Sequence, residues 1–379
     1  MRAKVFRTQS DVADRGLWPD DSETMFAFEK AGIYLLGGCR RTGAGSPENS
    51  ITVQRMKTPT IFSDCPLSRS AERLLKEGVA PHKIIFPGKT SGSVLSKSGP
   101  DPAFATADVA FGQPDVASVL RSKRLRWIHL TSAGYTRYDT PEFRAAATAR
   151  RLRVTNSSTV YAEPCAEHVV AFMLAHARKL PLALRTRCVN GSTEWNQLRN
   201  ASLLMRNQNV VLLGIGAIGS RLVEMLRPFR MQITALRRQP KGDEGVPVVT
   251  QERLPEVLAH ADHVVNILPD NPGSVHFISA ERFALMKRGA VFYNIGRGKT
   301  VDQDALLVAL RSGHLDAAWL DVTDPEPLPV GHPLLTAPNC FLTPHTAGGH
   351  QNESETLVRH FLDNFHRFLD GSPLRDRVM

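Results

Sequence analysis

Short apolar segments alternate with amphipathic segments from Thr58 to the C-terminus of the chain. The apolar segments have the length of buried strands, and the segments between them repeat apolar residues at helical spacing. Regular alternation of strands and helices is typical of α/β proteins with parallel sheets. The predicted strands are 59–62, 107–111, 127–130, 210–213, 232–236, 264–268, 290–294, 317–320 and 340–342. The predicted helices are 71–78, 163–180, 220–227, 252–260, 280–287, 302–312 and 353–369.

Residues 1–57 do not follow this pattern. They carry both signs of charge and glycine-rich stretches, with no sustained period of two or 3.6 residues. We therefore expect an irregular N-terminal extension. The long predicted helix at 163–180 leads into a second domain, whose first strand follows Asn209.

The composition excludes several classes of protein. Of the 379 residues, 42% are hydrophobic and 22% are charged, which is unlike the composition of disordered chains. The sequence contains no apolar run of about 20 residues, the length needed to cross a bilayer. A soluble protein of roughly two domains, with no membrane partner, is predicted.

The chain has an odd number of cysteines, five, and they are widely spaced with no CxxC pair. This pattern predicts neither a disulfide framework nor a metal site, and it favours a reducing, cytoplasmic location. The cysteines are Cys39, Cys65, Cys165, Cys188 and Cys340.

The formal net charge of +10 raises the question of an anionic partner. Arginines and lysines occur only in short groups along the chain, so no continuous basic surface for nucleic acid is expected. Small anionic ligands are the favoured explanation.

A glycine pattern opens the second domain. Gly214, Gly216 and Gly219 form GxGxxG, directly after an apolar strand and at the start of an amphipathic helix. In a dinucleotide-binding βαβ unit the first glycine permits a tight turn, the second admits the pyrophosphate, and the third allows close packing of helix and strand. The alternative is a glycine turn in an ordinary βαβ unit.

The end of the next strand indicates which dinucleotide is bound. An acid there accepts hydrogen bonds from the ribose 2′-hydroxyl of NAD, whereas an arginine pairs with the 2′-phosphate of NADP. Arg237 and Arg238 stand at this position, and no acid does. The sequence therefore favours NADP(H), with NAD(H) possible, unless the two arginines are only a solvated surface pair.

Three loops after predicted strands carry groups suited to the reduction of a carbonyl. Arg297 offers a planar cation for a carboxylate. His345 can donate a proton to the carbonyl oxygen as hydride reaches the carbon. Glu326 would orient the imidazole and stabilise its charged form. Asp302 is expected to cap the helix after the first loop.

The motifs resemble those of the D-isomer-specific 2-hydroxyacid dehydrogenases, and most closely the glyoxylate/hydroxypyruvate reductases. The similar segments run from Thr58 to the C-terminus and include GIGAIG, MKRGAVFYNIGRG, LDVTDPEPLP, HPLL and TPH. The resemblance implies an Arg–Glu–His catalytic set and hydride transfer between NAD(P)H and a small 2-oxo acid. It also implies a cleft between two domains, and usually a homodimer.

The fold implied is two Rossmann-like or flavodoxin-like parallel-sheet domains. The cofactor domain, 159–349, would be inserted in a discontinuous substrate domain made of 58–158 and 350–379. Substrate contacts are expected from Ser132, Ala133, Gly134 and Arg297. The expected cofactor contacts are Gly214, Gly216, Ala217, Ile218, Gly219, Arg237, Arg238, Pro269, Ile295, Asp321 and Gly348.

Two alternatives stay open. One is an enzyme like 3-phosphoglycerate dehydrogenase, and the other is a dinucleotide-sensing protein of the corepressor type with little turnover. The sequence departs from the family pattern at Cys165, at Arg230, where glycine is usual, and at Trp319, where a smaller residue is commoner. The last of these leaves the size of the substrate pocket open.

Overall fold

The computed structural model describes residues 58–88, 98–187 and 193–379. The predicted extension 1–57 lies outside the described residues, as do Cys39 and Cys188. Within the described residues the strands form one five-stranded and one seven-stranded sheet. No helix in this part of the chain has the length and apolar character needed to span a membrane.

The five-stranded sheet is parallel throughout, with the order β2-β1-β3-β4-β5. Its strands are β1 (Thr60–Ser63), β2 (Lys83–Ile85), β3 (Val109–Gly112), β4 (Trp127–Leu130) and β5 (Arg153–Thr155). The helices between these strands are α1 (Arg69–Val79), α2 (Val116–Arg121) and α3 (Pro141–Arg150).

The seven-stranded sheet is also parallel, with the order β12-β11-β10-β9-β6-β7-β8. Its strands are β6 (Asn209–Leu213), β7 (Gln232–Leu236), β8 (Val248–Val249), β9 (His263–Asn266), β10 (Ala290–Asn294), β11 (Leu315–Leu320) and β12 (Cys340–Leu342). Its helices are α7 (Ala217–Leu226), α8 (Leu254–Leu258), α9 (Ala280–Leu285) and α10 (Gln303–Arg311). Single 3₁₀ turns cover Pro102–Thr106, Thr136–Tyr138, Arg227–Phe229, Gln251–Arg253, Gly298–Thr300 and Pro333–Thr336.

The chain passes between the two sheets twice. On the way out it forms α4 (Ala162–Ala177), α5 (Leu180–Arg185) and α6 (Glu194–Ala201), and α4 packs against α7. On the way back, α11 (Glu353–Asp370) lies against α1 and the five-stranded sheet, where the Phe361 ring stacks on Trp127 at 5.3 Å. The last residues then pair with β5, and the Val378 amide donates to the Val154 carbonyl at 2.8 Å.

The order of the strands fixes where ligands can bind. In the second sheet the order of the strands reverses at β6, because β7 lies on one side of it and β9 on the other. In the first sheet the corresponding strand is β1, between β2 and β3. Crevices beyond the carboxyl ends of such strands are the usual ligand sites of open parallel sheets.

The predicted fold class, two parallel-sheet α/β domains, is confirmed, and the differences are local. The helix α7 begins at Ala217 rather than Ser220, because Gly219 is accommodated within its first turn. The short strands β2, β5 and β8 were not predicted; they have two or three residues each and too few positions to show a period. Arg230, where the family pattern has glycine, has a φ of 55° in the left-handed region that glycine adopts most easily.

Candidate active site

The glycine turn between β6 and α7 has the geometry of a dinucleotide cradle. Gly214 has a φ of 105°, and a Cβ at Gly219 would lie 3.0 Å from the Gly214 carbonyl oxygen. Gly216 is exposed, with open space where its side chain would be. Within the described residues, the amides of Ala217 and Ile218 have no hydrogen-bond partner. These features fit a bound pyrophosphate, because the turn leaves room for it and the helix N-terminus faces it with free N–H groups.

Arg237 lies beside this turn at the end of β7. Its Nη1 donates to the Ile215 carbonyl at 3.3 Å, which places the guanidinium against the glycine motif itself. Arg238 is exposed. The sequence analysis found no acid at this strand end, but the loop that follows brings Glu244 to within 3.5 Å of Arg237 Nη1. The strand end therefore holds a carboxylate after all, supplied from seven residues further along the chain.

A second wall of the crevice follows β9 and β10. Gly296 packs so closely on the preceding turn that a Cβ there would lie 2.7 Å from the Leu268 carbonyl oxygen. This contact brings Pro269 and Ile295 to neighbouring positions. Gly348 lies against the Tyr161 ring, where a Cβ would approach Cδ1 to 2.8 Å. Of these predicted cofactor contacts, Ile295 is buried and Gly348 is closely packed, whereas Pro269 is exposed.

The loop after β4 is held by hydrogen bonds to its carbonyl groups. The Tyr161 hydroxyl donates to Thr131 O at 2.8 Å, the Ser157 amide to Ser132 O at 3.1 Å, and Asn156 Nδ2 to Ala133 O at 2.7 Å.

The amide groups of the same loop are available for a ligand. Within the described residues, the N–H groups of Ser132, Ala133 and Gly134 have no hydrogen-bond partner. Three successive free amides are a donor set suited to a carboxylate.

Gln113 adds a side-chain clamp at the base of this loop. Its Nε2 donates to Ser132 Oγ at 2.9 Å and to Thr131 Oγ1 at 3.1 Å. Sequence reasoning missed Gln113, Asn156 and Tyr161. Only their place at the carboxyl end of a strand, or in the segment that leaves the first sheet, could have drawn attention to them.

Arg297 faces the same loop from the other sheet. A Cβ on Gly134 would overlap Arg297 Nη2, so the guanidinium touches the backbone of the loop. Its Nη1 donates to the Gly296 carbonyl at 2.6 Å, and its own carbonyl accepts from Thr300 Oγ1 at 2.6 Å. The free amides and a permanent cation therefore converge on one point of the cleft.

Buried polar side chains hold the Arg297 segment. Asn266 Nδ2 donates to Asn294 Oδ1 at 2.9 Å and to Thr300 Oγ1 at 2.7 Å. Asn294 Oδ1 also accepts from the Gly296 amide at 3.1 Å. A buried network with its donors and acceptors satisfied is rigid, and removing one member leaves costly unpaired groups.

His345 and Glu326 form a direct pair. His345 Nδ1 lies 2.5 Å from Glu326 Oε1, and the side chains remain 31% and 38% exposed. Burial raises the pKa of the Glu326 carboxyl, but the hydrogen bond and charge of His345 and the charge of Arg297 outweigh it, so the pKa is below its ordinary value. The three residues predicted as catalytic therefore lie in one electrostatic cluster.

The close approach of their loops depends on a glycine. Gly298 lies directly on the peptide between Thr323 and Asp324, and any Cβ would collide with it. The loop that carries Glu326 is thereby brought against the segment of Arg297.

Asp321 anchors the loop that carries His345. It is 2% exposed, and its carboxylate accepts from Thr343 Oγ1 at 2.6 Å, the Thr346 amide at 2.8 Å and the Ala347 amide at 2.9 Å. His345 itself has a φ of 52°, a left-handed conformation that needs support from its surroundings. The sequence analysis assigned Asp321 only to the cofactor and missed this structural role.

Trp319 lies on β11, two residues before Asp321. Its ring stacks on Phe341 at 4.2 Å and packs against Phe172 at 5.0 Å, and it is 6% exposed. The Phe172 ring in turn contacts His168. The Trp319 side chain is thus packed within an aromatic cluster on one face of β11.

Two parallel-sheet domains with a glycine cradle at the switch point have the architecture of a dinucleotide-binding protein. Residues 170–347 match the model of the D-isomer specific 2-hydroxyacid dehydrogenase, NAD binding domain.

Two relatives in the sequence comparison are glyoxylate/hydroxypyruvate reductases. Human glyoxylate reductase/hydroxypyruvate reductase is 34% identical over 59% of this chain and 69% of the relative. Glyoxylate/hydroxypyruvate reductase B of Citrobacter koseri is 34% identical over 71% of this chain and 83% of the relative.

Among solved structures, a D-isomer specific 2-hydroxyacid dehydrogenase from Xanthobacter autotrophicus, in complex with NADPH and MES, is 26% identical. It aligns with a TM-score of 0.67 over 85% of this chain and 98% of its own. The chain belongs to the D-isomer specific 2-hydroxyacid dehydrogenases, which are NAD(P)-dependent oxidoreductases. The resemblance found in the sequence is confirmed.

Proposed function

We propose that this enzyme reduces a small 2-oxo acid of the glyoxylate or hydroxypyruvate type to the D-2-hydroxy acid, with NADP(H) preferred over NAD(H). The observation that carries the proposal is the convergence of Arg297, the free amides of residues 132–134 and the His345–Glu326 pair in one cleft. The names of the relatives above support the substrate class. The two arginines at the end of β7 support the cofactor preference.

Each residue has a distinct role in this proposal. Arg297 and the amides of Ser132, Ala133 and Gly134 bind the substrate carboxylate, and Arg297 also polarises the neighbouring carbonyl. The bound dinucleotide supplies the hydride. His345 donates the proton to the carbonyl oxygen, and Glu326 orients the imidazole through Nδ1 and stabilises its charged form. In the oxidative direction neutral His345 accepts the proton.

The remaining cofactor contacts proposed are the cradle residues Gly214 to Gly219 with Arg237 and Arg238, and the wall formed by Pro269, Ile295, Asp321 and Gly348. We also propose 58–158 with 350–379 as the substrate domain and 159–349 as the cofactor domain. The bounds rest on the two passages of the chain between the sheets.

Oxidation of NADPH and NADH with a panel of 2-oxo acids tests the proposal. We expect turnover with short 2-oxo acids and a lower KM for NADPH than for NADH. Tight cofactor binding without turnover on any member of the panel would instead support a dinucleotide sensor. Turnover restricted to a phosphorylated substrate would support an enzyme like 3-phosphoglycerate dehydrogenase.

The Glu326→Gln variant is expected to lose the acid limb of the kcat/KM profile. The Glu326 pKa is depressed, so the carboxylate pairs with His345 above the ordinary carboxyl value of 4.5 and loses this pair only as the pH falls through the lower folded value. Glutamine carries no charge at any pH, so kcat/KM should be lowered about tenfold at neutral pH, without the further loss that protonation of Glu326 causes in the wild type. A matched variant, Glu256→Gln, removes a carboxylate of an exposed pair with Arg253 and should leave the profile unchanged. A kcat/KM of Glu326→Gln equal to that of the wild type at neutral pH would refute the assigned role.

We further propose that the protein is a homodimer. The segment from α5 to the residues after α6 exposes apolar side chains that a monomer would leave in water, among them Leu184 at 73%, Trp195 at 56% and Leu204 at 73%. Sedimentation should give twice the chain mass of 41.8 kDa, and Leu184→Glu with Leu204→Glu should give monomers. Val308→Glu, at an exposed apolar position on α10, should remain dimeric. A wild-type monomer at micromolar concentration would contradict the proposal.

A further inference from the structure

The loop between β7 and β8 folds back on its own carboxylate. Glu244 accepts hydrogen bonds from the amide of Lys241 at 2.7 Å and from that of Gly242 at 2.8 Å. Its side chain is only 4% exposed, and one of its oxygens, Oε1, lies 3.5 Å from Arg237 Nη1. The hydrogen bond from the Lys241 amide is the main reason that the Glu244 pKa lies below its ordinary value. The hydrogen bond from the Gly242 amide and the charge of Arg237 lower this pKa further.

This arrangement is an anion site filled from within the chain. Two successive backbone N–H groups and a guanidinium are the donor set with which proteins bind phosphate and carboxylate groups. Gly242 has a φ of 86°, which lets its amide and that of Lys241 point at the same acceptor. Glu244 places a negative charge at this donor set.

The filled site adjoins the dinucleotide cradle. Arg237 Nη1 donates to the carbonyl of Ile215, a residue within the GxGxxG motif, and also faces Glu244. A 2′-phosphate bound at Arg237 would therefore meet a second anion that is already paired with the same guanidinium. Like charges at this separation repel, and the ion pair between Arg237 and Glu244 must weaken for the phosphate to bind.

We propose that Glu244 is a specificity-determining residue of the cofactor site, which weakens the binding of 2′-phosphorylated dinucleotides by competing for Arg237. The proposal rests on the proposed function, in which Arg237 contacts the 2′-phosphate. It implies that the preference for NADPH is smaller than the two arginines alone would give, and that NADH remains usable.

Fluorescence titration of the substrate-free enzyme with NADPH and with NADH tests this by binding rather than by turnover. The Glu244→Gln variant keeps the size of the side chain and an oxygen for the backbone N–H groups, but loses the charge. We expect its Kd for NADPH to fall roughly threefold to fivefold, the effect of one partly exposed ion pair, with the Kd for NADH unchanged. Glu244→Ala should act in the same direction, and the control Glu256→Gln should change neither Kd.

The possible results separate this proposal from the one it rests on. If Arg237→Gln leaves NADPH binding unchanged, the assignment of Arg237 is wrong and the proposed cofactor preference loses its basis. If Arg237→Gln weakens NADPH binding but Glu244→Gln changes nothing, only the role of Glu244 is refuted. Weaker NADH binding in Glu244→Gln also overturns the proposal, because Glu244 would then be an acceptor for the ribose 2′-hydroxyl. In support, the gain from Glu244→Gln should vanish in the Arg237→Gln background, since the competition requires the guanidinium.

Discussion

Replacement of His345 by asparagine is expected to lower kcat for the reduction of 2-oxo acids by about 10²- to 10⁴-fold, the usual contribution of a general acid. Asparagine is chosen because His345 has a φ of 52°, and asparagine tolerates this left-handed conformation better than alanine does. The amide cannot donate a proton as an imidazolium does. The KM for the substrate and the Kd for the cofactor should change little, because the residue acts in the transition state.

His350→Asn is the matched control, since His350 is an exposed histidine close by in the chain. It should keep wild-type kcat. Thermal unfolding of both variants checks that the loop still folds. If His345→Asn kept a kcat near that of the wild type with every 2-oxo acid tried, another group would have to supply the proton.

The position of His345 illustrates how the fold supports the site. The imidazole is oriented from one side by Glu326, while the backbone is held from the other by the buried carboxylate of Asp321. The amide of His345 also donates to the Asp321 carbonyl at 2.9 Å. A single buried residue at the end of β11 therefore maintains a strained loop conformation, which is the arrangement expected where a functional group must not move.

Much of the fold could be predicted from the sequence because most of its longer strands consist largely of buried residues. In the second domain, β10 has the predicted bounds and all five of its residues are buried, and β7 has the predicted bounds although Gln232 is exposed. The predicted N-cap at Asp302 is also confirmed, with its carboxylate accepting from the Ala305 amide at 3.0 Å. Periodicity missed the strands β2, β5 and β8, whose existence depends on tertiary pairing, and it also missed the helices α2, α3 and α6.

The arrangement of the candidate site was predictable where its residues follow a motif and not where it depends on packing. Arg297, Glu326 and His345 stand after strands in one domain, and the order of those strands brings them together. Glu244 could not be found at the strand end, because its approach to Arg237 depends on how a seven-residue loop folds back. Asn156 was missed for a related reason, since hydrogen bonds to backbone carbonyls leave no pattern in the sequence.

Gly134→Ala is expected to lower kcat/KM for the 2-oxo acid by about 10²-fold without unfolding the enzyme. The new methyl group would overlap Arg297 Nη2, and the guanidinium is already tethered through its Nη1 to the Gly296 carbonyl. It must therefore move away from the carboxylate subsite, and a misplacement of about 1 Å can reduce the rate by this factor. The backbone at Gly134 is not in the left-handed region, so alanine adopts it without strain.

Steady-state kinetics and NADPH titration of Gly134→Ala distinguish this effect from damage to the cofactor site, which lies on the other sheet and should keep its Kd. Gly88→Ala is the control, because a Cβ at Gly88 meets open space and its φ is also not positive. The loss in Gly134→Ala should be smaller in an Arg297→Lys background, since lysine lacks the planar group that the methyl displaces. If Gly134→Ala kept the wild-type kcat/KM, Arg297 would not bind the substrate where the free amides of the loop converge, and the carboxylate subsite would have to be sought elsewhere in the cleft.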